Sequence, residues 1–343
     1  MMRSTLTGTL LVLAGIAASS TAAADAITDF YHGRTVTVLV ASGPDGLAGL
    51  YGRVVGEHLG HNIPGAPTIV HQFMPGSGGT KGANYCFNVA PKDGSVVCQL
   101  SPTVPMVQLL RGTGVKYDAA KFNWLGQSAD QNGAITILAN LPVKTLLDVK
   151  SHEVLMGATG KASETYIDPT LVNAVLGTRF RPIMGYRSGG EIDLAVERGE
   201  IQGKSGPIIS NLRGANKRKL DEGKMRILVQ MGLRKHPAFP NVPLLTEFAA
   251  NEDARRLIDF VAGRAQVGRA FVAPPKVPAN RVAALRKAFD ATMKDPALMA
   301  DASRLEMEIN PSSGADVEKV VGRILSAPQT VIDRARQLLG TAN

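Results

Sequence analysis

The feature that most constrains the fold is a regular alternation of short β-branched runs with amphipathic helical stretches. Residues 35–40 read Thr-Val-Thr-Val-Leu-Val and predict a buried strand. From Leu47 to Leu59 apolar residues recur at i, i+3, i+4, i+7, i+8 and i+12, which predicts one apolar face of a helix. A second strand, a second helix and a third strand are predicted over residues 68–73, 80–89 and 96–100. This β-α-β-α-β order indicates a mostly parallel sheet covered by helices.

The same alternation restarts after Trp124, so a second α/β lobe is expected. Its candidate strands are residues 134–138, 154–157, 181–184 and 226–231. A third region begins at Phe271 and carries a helix marked by Val282, Leu285, Phe289 and Met293. Chain order alone leaves open whether this last region is a separate domain or returns to the first lobe.

The N-terminus has the pattern of a secretory signal over residues 1–24. Arg3 supplies a basic start, residues 6–18 form an apolar run, and three alanines precede Asp25. The run is shorter than the ~20 apolar residues of a membrane-spanning helix, although a retained anchor is the alternative. The mature protein is therefore expected outside the cytoplasm.

The charge balance favours anionic ligands or surfaces over nucleic acid. The net charge is +9, but the basic residues are dispersed and aromatic residues make up only 5% of the chain. A stacking platform for bases is therefore not predicted, and we expect no nucleic-acid partner.

Two cysteines, Cys86 and Cys98, follow the signal segment. An oxidising compartment permits a disulfide between them, since the first falls in a predicted helix and the second in the next strand. Two separately buried thiols are equally compatible with the sequence.

Glycine-rich turns recur where predicted strands end and helices begin. They are residues 42–46 and 75–80 in the first lobe, and residues 157–160 and 187–190 in the second. Such loops line the ligand crevice of α/β proteins, where helix N-termini offer unpaired N–H groups to an anion. We therefore expected a carboxylate to be held without a fully buried formal charge. The predicted ligand-binding residues are Ser42, Gly43, Asp45, Gly46, Gly76, Ser77, Gly78, Gly79, Thr80, Thr159, Gly160, Ser163, Arg187, Ser188 and Gly189.

The sequence does not match the catalytic and cofactor-binding motifs that its glycine-rich loops bring to mind. Residues 76–81 fit neither a Walker A loop nor a dinucleotide fingerprint, and Ser77 does not stand in a G-x-S-x-G elbow. His58 and His61 lack an obvious partner for a metal site. We therefore predict a protein that is not an enzyme, with no catalytic residue, metal or cofactor. A periplasmic hydrolase or transferase using Ser77 in the same cleft is the alternative.

An ordered set of short motifs resembles the receptors of tripartite tricarboxylate transporters, the Bug family of periplasmic solute-binding proteins. The set runs from about residue 30 to the C-terminal helix and includes the P-G-[AS]-G-G loop at residues 75–79. Its other members are residues 30–34, 90–94, 157–160, 185–186, 197–200, 239–243 and 271–278.

The resemblance implies an α/β class II periplasmic-binding-protein fold, with two doubly wound lobes joined by crossover strands. Residues 25–125 and 272–343 would form lobe 1, and residues 126–271 would form lobe 2. The glycine loops of both lobes would clasp a small organic carboxylate, often through water. The implied partners are membrane subunits of a secondary transporter; a role in solute sensing is an alternative. A monomer is expected.

The sequence departs from the family pattern in its first loop. The family usually reads P-G-G-x-x-D, whereas residues 44–49 place Gly49 at the acidic position and an acid earlier, at Asp45. Asp45 would either cap the helix or point into the cleft, where it would repel a carboxylate or bind an amino group. Arg187 is the cation adjoining a second-lobe glycine loop, and we predict that it faces the ligand carboxylate.

Overall fold

A computed structural model describes residues 26–110 and 114–339 of the chain. The predicted signal segment, residues 1–24, lies outside the described residues. Within them, no helix combines the length and the apolar character needed to cross a bilayer.

The elements follow the predicted alternation closely. The strands are β1 (Thr35–Val40), β2 (Thr68–Phe73), β3 (Val96–Gln99), β4 (Asn123–Gln127), β5 (Gly133–Leu138), β6 (Val154–Ala158), β7 (Phe180–Met184), β8 (Gly203–Pro207), β9 (Met225–Met231), β10 (Ala270–Ala273) and β11 (Ser312–Ser313). The helices are α1 (26–31), α2 (Leu47–Asn62), α3 (Thr80–Asn88), α4 (Val104–Leu110), α5 (Glu164–Leu176), α6 (Gly189–Glu197), α7 (Gly214–Asp221), α8 (Glu252–Ala262), α9 (Ala279–Thr292), α10 (Pro296–Arg304), α11 (Gly314–Leu325) and α12 (Gln329–Leu338).

The strands form two sheets, each the centre of one lobe. The first has the order β11-β4-β10-β3-β1-β2, and the second the order β7-β6-β8-β5-β9. In the first sheet β1 pairs in parallel with β2 and β3, as predicted, while β10 and β11 run antiparallel to their neighbours. In the second sheet β6 is parallel to β7 and β8, and β5 is antiparallel to β8 and β9. Both sheets are therefore mixed, and the expected parallel pairing holds for β1–β3 and β6–β8 but not for the strands next to the crossovers.

The last region returns to the first lobe, which answers the question that chain order left open. Strand β10 inserts between β3 and β4 of the first sheet, and α9 packs on α2 and β4. Phe271 and Phe289 bring their rings to 5.7 Å in a core shared with the buried side chain of Tyr51. Burying these large apolar side chains away from water is the main source of lobe stability.

Two crossover segments connect the lobes and are hydrogen-bonded to each other. After β4, the N–H of Ser128 donates to the Arg269 carbonyl at 3.1 Å, and the N–H of Arg269 donates to the Ala129 carbonyl at 2.9 Å. The N–H of Gln131 donates to the Ala265 carbonyl, also at 2.9 Å. We call residues 128–131 and 265–269 the hinge segments. The predicted lobe limits at residues 125/126 and 271/272 fall inside β4 and β10, a few residues from this ladder.

Cys86 and Cys98 form a disulfide, so the structure selects one of the two alternatives left by the sequence. The bond ties α3, which follows the Pro75–Thr80 loop, to the end of β3. Both cysteines are fully buried in the core of lobe 1.

Candidate functional site

A cavity of about 130 Å³ lies between the lobes, where the loops after the first-sheet strands face lobe 2. Loops at the carboxyl ends of α/β strands are the usual position of a ligand site. Nine of the predicted site residues line it: Ser42, Gly46, Gly76, Gly78, Gly79, Thr159, Ser163, Arg187 and Gly189.

The four glycine loops meet in pairs across the lobes, and we call this set of contacts the rim. In the first pair, Gly78 has a φ of +64°, and a Cβ there would lie 2.4 Å from the backbone nitrogen of Ser163. A Cβ on Gly160 would likewise lie 2.6 Å from the Gly78 nitrogen. The backbones can approach this closely only because both residues lack a side chain.

The second pair joins the first loop of lobe 1 to residues 187–190 of lobe 2. The N–H of Gly43 donates to the Arg187 carbonyl at 3.2 Å. A Cβ on Gly46 would lie 3.2 Å from the Gly189 nitrogen, which is at the first residue of α6. The rim is therefore made of backbone against backbone.

Six predicted residues do not line the cavity: Gly43, Asp45, Ser77, Thr80, Gly160 and Ser188. Gly43 and Gly160 belong to the rim contacts instead. Ser188 is fully buried and accepts a hydrogen bond from the N–H of Glu191, which makes it the N-cap of α6. Thr80 is buried at the start of α3, and Ser77 is exposed.

Asp45 fulfils neither of its predicted roles. The residue before α2 is Gly46, which makes no side-chain cap, and the exposed Asp45 side chain is outside the cavity lining. Its backbone carbonyl faces Gly190, where a Cβ would lie 2.4 Å from it. Asp45 therefore contributes its main chain to the rim.

The hydroxyl groups of the second-lobe loop are mostly engaged within that loop. Ser163 Oγ donates to the Gly160 carbonyl at 2.8 Å and lies 2.5 Å from Thr165 Oγ1. Thr165 Oγ1 also accepts the N–H of Thr159 at 3.0 Å. These bonds fix the loop so that its backbone can present itself to the cavity and to Gly78.

Arg187 lines the cavity, but its charge is already compensated. Its Nε lies 2.6 Å from Glu191 Oε1, and its side chain is 73% exposed. The N–H and guanidinium of Arg187 hold the pKa of Glu191 below its ordinary value, so the pair stays ionised at neutral pH. An exposed pair of this kind contributes little to binding a further anion.

The cation that sequence reasoning missed is Arg269, on the hinge segment just before β10. It lines the cavity and is only 6% exposed. Its Nη2 has no hydrogen-bond partner among residues 26–110 and 114–339. The Tyr51 ring, with its centroid 5.1 Å from the guanidinium carbon, is its one aromatic contact there. Burial lowers the pKa of Arg269, yet an arginine keeps its charge in proteins.

A buried, unpaired guanidinium is costly unless an anion meets it. The structure therefore contradicts the expectation that no formal charge would be buried at the site.

Other polar side chains of the cavity were also absent from the predicted set. Lys204 of β8 is 5% exposed and forms an ion pair with Asp193 of α6. Gln131 is buried on the hinge segment, and its Nε2 donates to Glu164 Oε2 at 2.5 Å. Ser205, beside Lys204, donates to the buried carboxylate of Asp168 at 2.6 Å.

These residues carry no local sequence signal. Residues 203–207 read Gly-Lys-Ser-Gly-Pro, which resembles a turn although they form the central strand β8. Arg269 is one of 38 basic residues and was not distinguished by its neighbours. The only available clue is its place two residues before the motif at residues 271–278.

Solved structures show which class of fold this is. A structure of the periplasmic binding protein BugD matches with a TM-score of 0.72 at 17% identity, covering 89% of this chain and 97% of that one. MatC from Rhodopseudomonas palustris, solved with malate, matches with a TM-score of 0.67 at 19% identity over 89% of this chain and 99% of its own. An R. palustris protein solved with adipate matches with a TM-score of 0.68 at 18% identity, over 90% and 97% of the two chains. The chain therefore has the two-lobed α/β fold of periplasmic binding proteins, as predicted.

Among curated proteins, the chain is similar to two of the UPF0065 group. One, from the gbd 5′ region of Cupriavidus necator, is 23% identical over 308 residues, or 86% of this chain and 87% of that protein. The other, from Bordetella bronchiseptica, is 25% identical over 299 residues, or 85% and 82% of the two chains. No family model matches the chain.

Proposed function

We propose that this protein is a periplasmic solute-binding receptor that closes two lobes around a small organic carboxylate. Arg269 is the observation that carries the proposal, because its buried guanidinium lines the cavity between the lobes and its Nη2 has no hydrogen-bond partner among the described residues. Glu164 is near enough to favour the charged form of Arg269, but the two form no ion pair. The malate and adipate bound to proteins of the same fold support a carboxylate as the anion.

In this proposal different cavity residues contact different parts of the ligand. Arg269 supplies a charge-assisted hydrogen bond to the ligand carboxylate. The backbone of the rim loops, together with Ser42, Thr159 and Ser163, encloses the rest of the ligand. A ligand that contacts both lobes at once favours the conformation in which they meet, so binding and closure are coupled.

The proposal includes a cellular role in solute uptake. Residues 1–24 direct export to the periplasm, where the mature monomer delivers its ligand to membrane subunits of a secondary transporter. The lobes divide near residues 125/126 and 271/272. Catalysis is not part of the proposal, since Ser77 is exposed and outside the cavity lining.

The test combines a ligand screen with substitution of Arg269. We expect aliphatic or aromatic carboxylates to raise the melting temperature of the mature protein, because a ligand that binds only the folded state stabilises it. In Arg269→Met, affinity for the best ligand should fall by at least about 30-fold, since loss of a buried charge contact costs about 2–5 kcal/mol.

The same variant should be more stable than the wild type without ligand. An apolar side chain of similar size removes a buried donor that has no hydrogen bond, which should stabilise the protein by about 1–3 kcal/mol. Chemical denaturation would measure the free energy of unfolding, and calorimetry the affinity. Full affinity in Arg269→Met, or no response to any carboxylate, would contradict the proposal.

A further inference from the structure

Most of the charged side chains around the cavity are already held in ion pairs. Five charged side chains line it within the described residues: Glu164, Arg187, Asp193, Lys204 and Arg269. Arg187 is neutralised by Glu191 and Lys204 by Asp193. Arg269 alone among the three cations forms no ion pair with the described residues, although the nearby charge of Glu164 favours its charged form.

The acids leave no second place for an anion. Asp193 forms its ion pair with Lys204, and its Oδ1 also accepts the side-chain amide of Asn216 at 3.2 Å. Glu164 accepts one hydrogen bond from Gln131 and has no basic partner in an ion pair among the described residues. A carboxylate placed near either acid would meet a like charge in a poorly hydrated space, which is unfavourable.

The acids instead favour a hydrogen-bond donor. An ionised carboxylate offers only acceptor oxygens, and each of its two oxygens can accept more than one hydrogen bond. A ligand hydroxyl or ammonium group would meet that requirement, whereas a second carboxylate would not.

Resting on the proposed function, we infer that the ligand is a monocarboxylate whose other polar group is a hydrogen-bond donor. Its carboxylate binds Arg269, and its hydroxyl or ammonium group faces Glu164 and Asp193. The charge pattern thus separates this site from one built for a dicarboxylate.

Matched ligand series test the inference by calorimetry with the mature protein. One series is adipate, hexanoate, 6-hydroxyhexanoate and 6-aminohexanoate; a second is succinate, butyrate, 4-hydroxybutyrate and 4-aminobutyrate. We expect a hydroxy or amino acid to bind at least about 10-fold more tightly than the dicarboxylate of equal length, which is the factor for about 1.4 kcal/mol. If the dicarboxylate binds most tightly, the inference is wrong while the proposed function stands. If no member of an extended carboxylate panel binds, both fail.

A substitution at Asp193 gives an independent arm. Asp193→Asn keeps the shape of the side chain but leaves Lys204 uncompensated, adding a second cation to the cavity. Affinity for the dicarboxylate should rise about 10-fold relative to the monocarboxylate. Glu191→Gln is the matched control, because it frees the exposed Arg187, whose charge is screened by water, and the relative affinity should change less than about threefold. An unchanged preference in Asp193→Asn would overturn the inference.

Discussion

The rim and the hinge side of the cavity are built from different kinds of contact. At the rim, Gly78 and Gly160 bring two main chains together without side chains. On the hinge side, Gln131 and Arg269 present buried side chains from the two segments that connect the lobes. The rim therefore depends on residues that have no side chain, whereas the hinge side depends on the positive charge of Arg269.

The largest effect is expected from blocking the rim. Gly78→Val would place a Cβ 2.4 Å from the Ser163 nitrogen and 2.7 Å from the Ala162 carbonyl carbon, both in the other lobe. Overpacking a contact that forms only when the lobes meet costs about 1–3 kcal/mol, so affinity should fall by up to about 100-fold. The strain of the positive φ is present with and without ligand, so it lowers stability and not affinity. Calorimetry would measure the loss, and circular dichroism should show an unchanged fold.

Gly177→Val is the matched control for this substitution. Gly177 ends α5 with a φ of +70°, close to that of Gly78, but a Cβ there would meet nothing within 4 Å. It should lose stability through backbone strain while retaining affinity. Equal losses of affinity in the two variants would show that strain, and not contact between the lobes, explains the result.

The contrast also explains which parts of the structure the sequence could predict. Local periodicity located β1, α2, β2, α3 and β3 within three residues, and glycine clusters located the rim. Arg269 and Lys204 become site residues only when β10 returns to the first sheet and β8 enters the centre of the second. Such long-range neighbours leave no pattern in adjacent residues. For the same reason the sequence favours Arg187, which adjoins a glycine loop, over Arg269.

An intermediate effect is expected from the disulfide, and on stability rather than binding. The bond closes a short loop, with a sequence separation of 12 between Cys86 and Cys98. Replacing both residues with alanine should lower the free energy of unfolding by about 3 kcal/mol. Neither residue lines the cavity, so affinity should change less than about threefold. A larger loss of affinity would indicate that the disulfide between α3 and β3 also holds the rim loop at residues 75–80 in position.

The smallest effect is expected from Arg187→Gln. Because Arg187 is exposed and paired with Glu191, its loss should weaken binding less than about fivefold. A loss as large as that of Arg269→Met would remove the distinction between rim and hinge side.

Binding should also be independent of pH between about 7 and 8, because burial raises the pKa of Asp168, which accepts a hydrogen bond from the cavity residue Ser205, to about 6. The pKa of Glu191 is lowered by its hydrogen bonds from Arg187. The ion pair between the two residues is therefore fully formed above the ordinary glutamate pKa and is lost only as the pH falls through the lowered pKa. Titrations at several pH values would check this, and a change within that range would implicate another titrating group.

The hydrogen bonds between the two hinge segments have a consequence for the order of events in capture. When two lobes rotate about a hinge, residues near the axis move least and those at the edge move most. Because its own N–H is bonded to the Ala129 carbonyl, we expect Arg269 to stay in place while Gly78 and Ser163 separate. We expect the carboxylate to dock first and the rim to close afterwards, so the observed rate in stopped-flow mixing should reach a plateau at high ligand concentration. The residence time of the ligand is then set by how often the glycine loops of the two lobes separate. The selection of the ligand, in contrast, takes place at Arg269, which hardly moves.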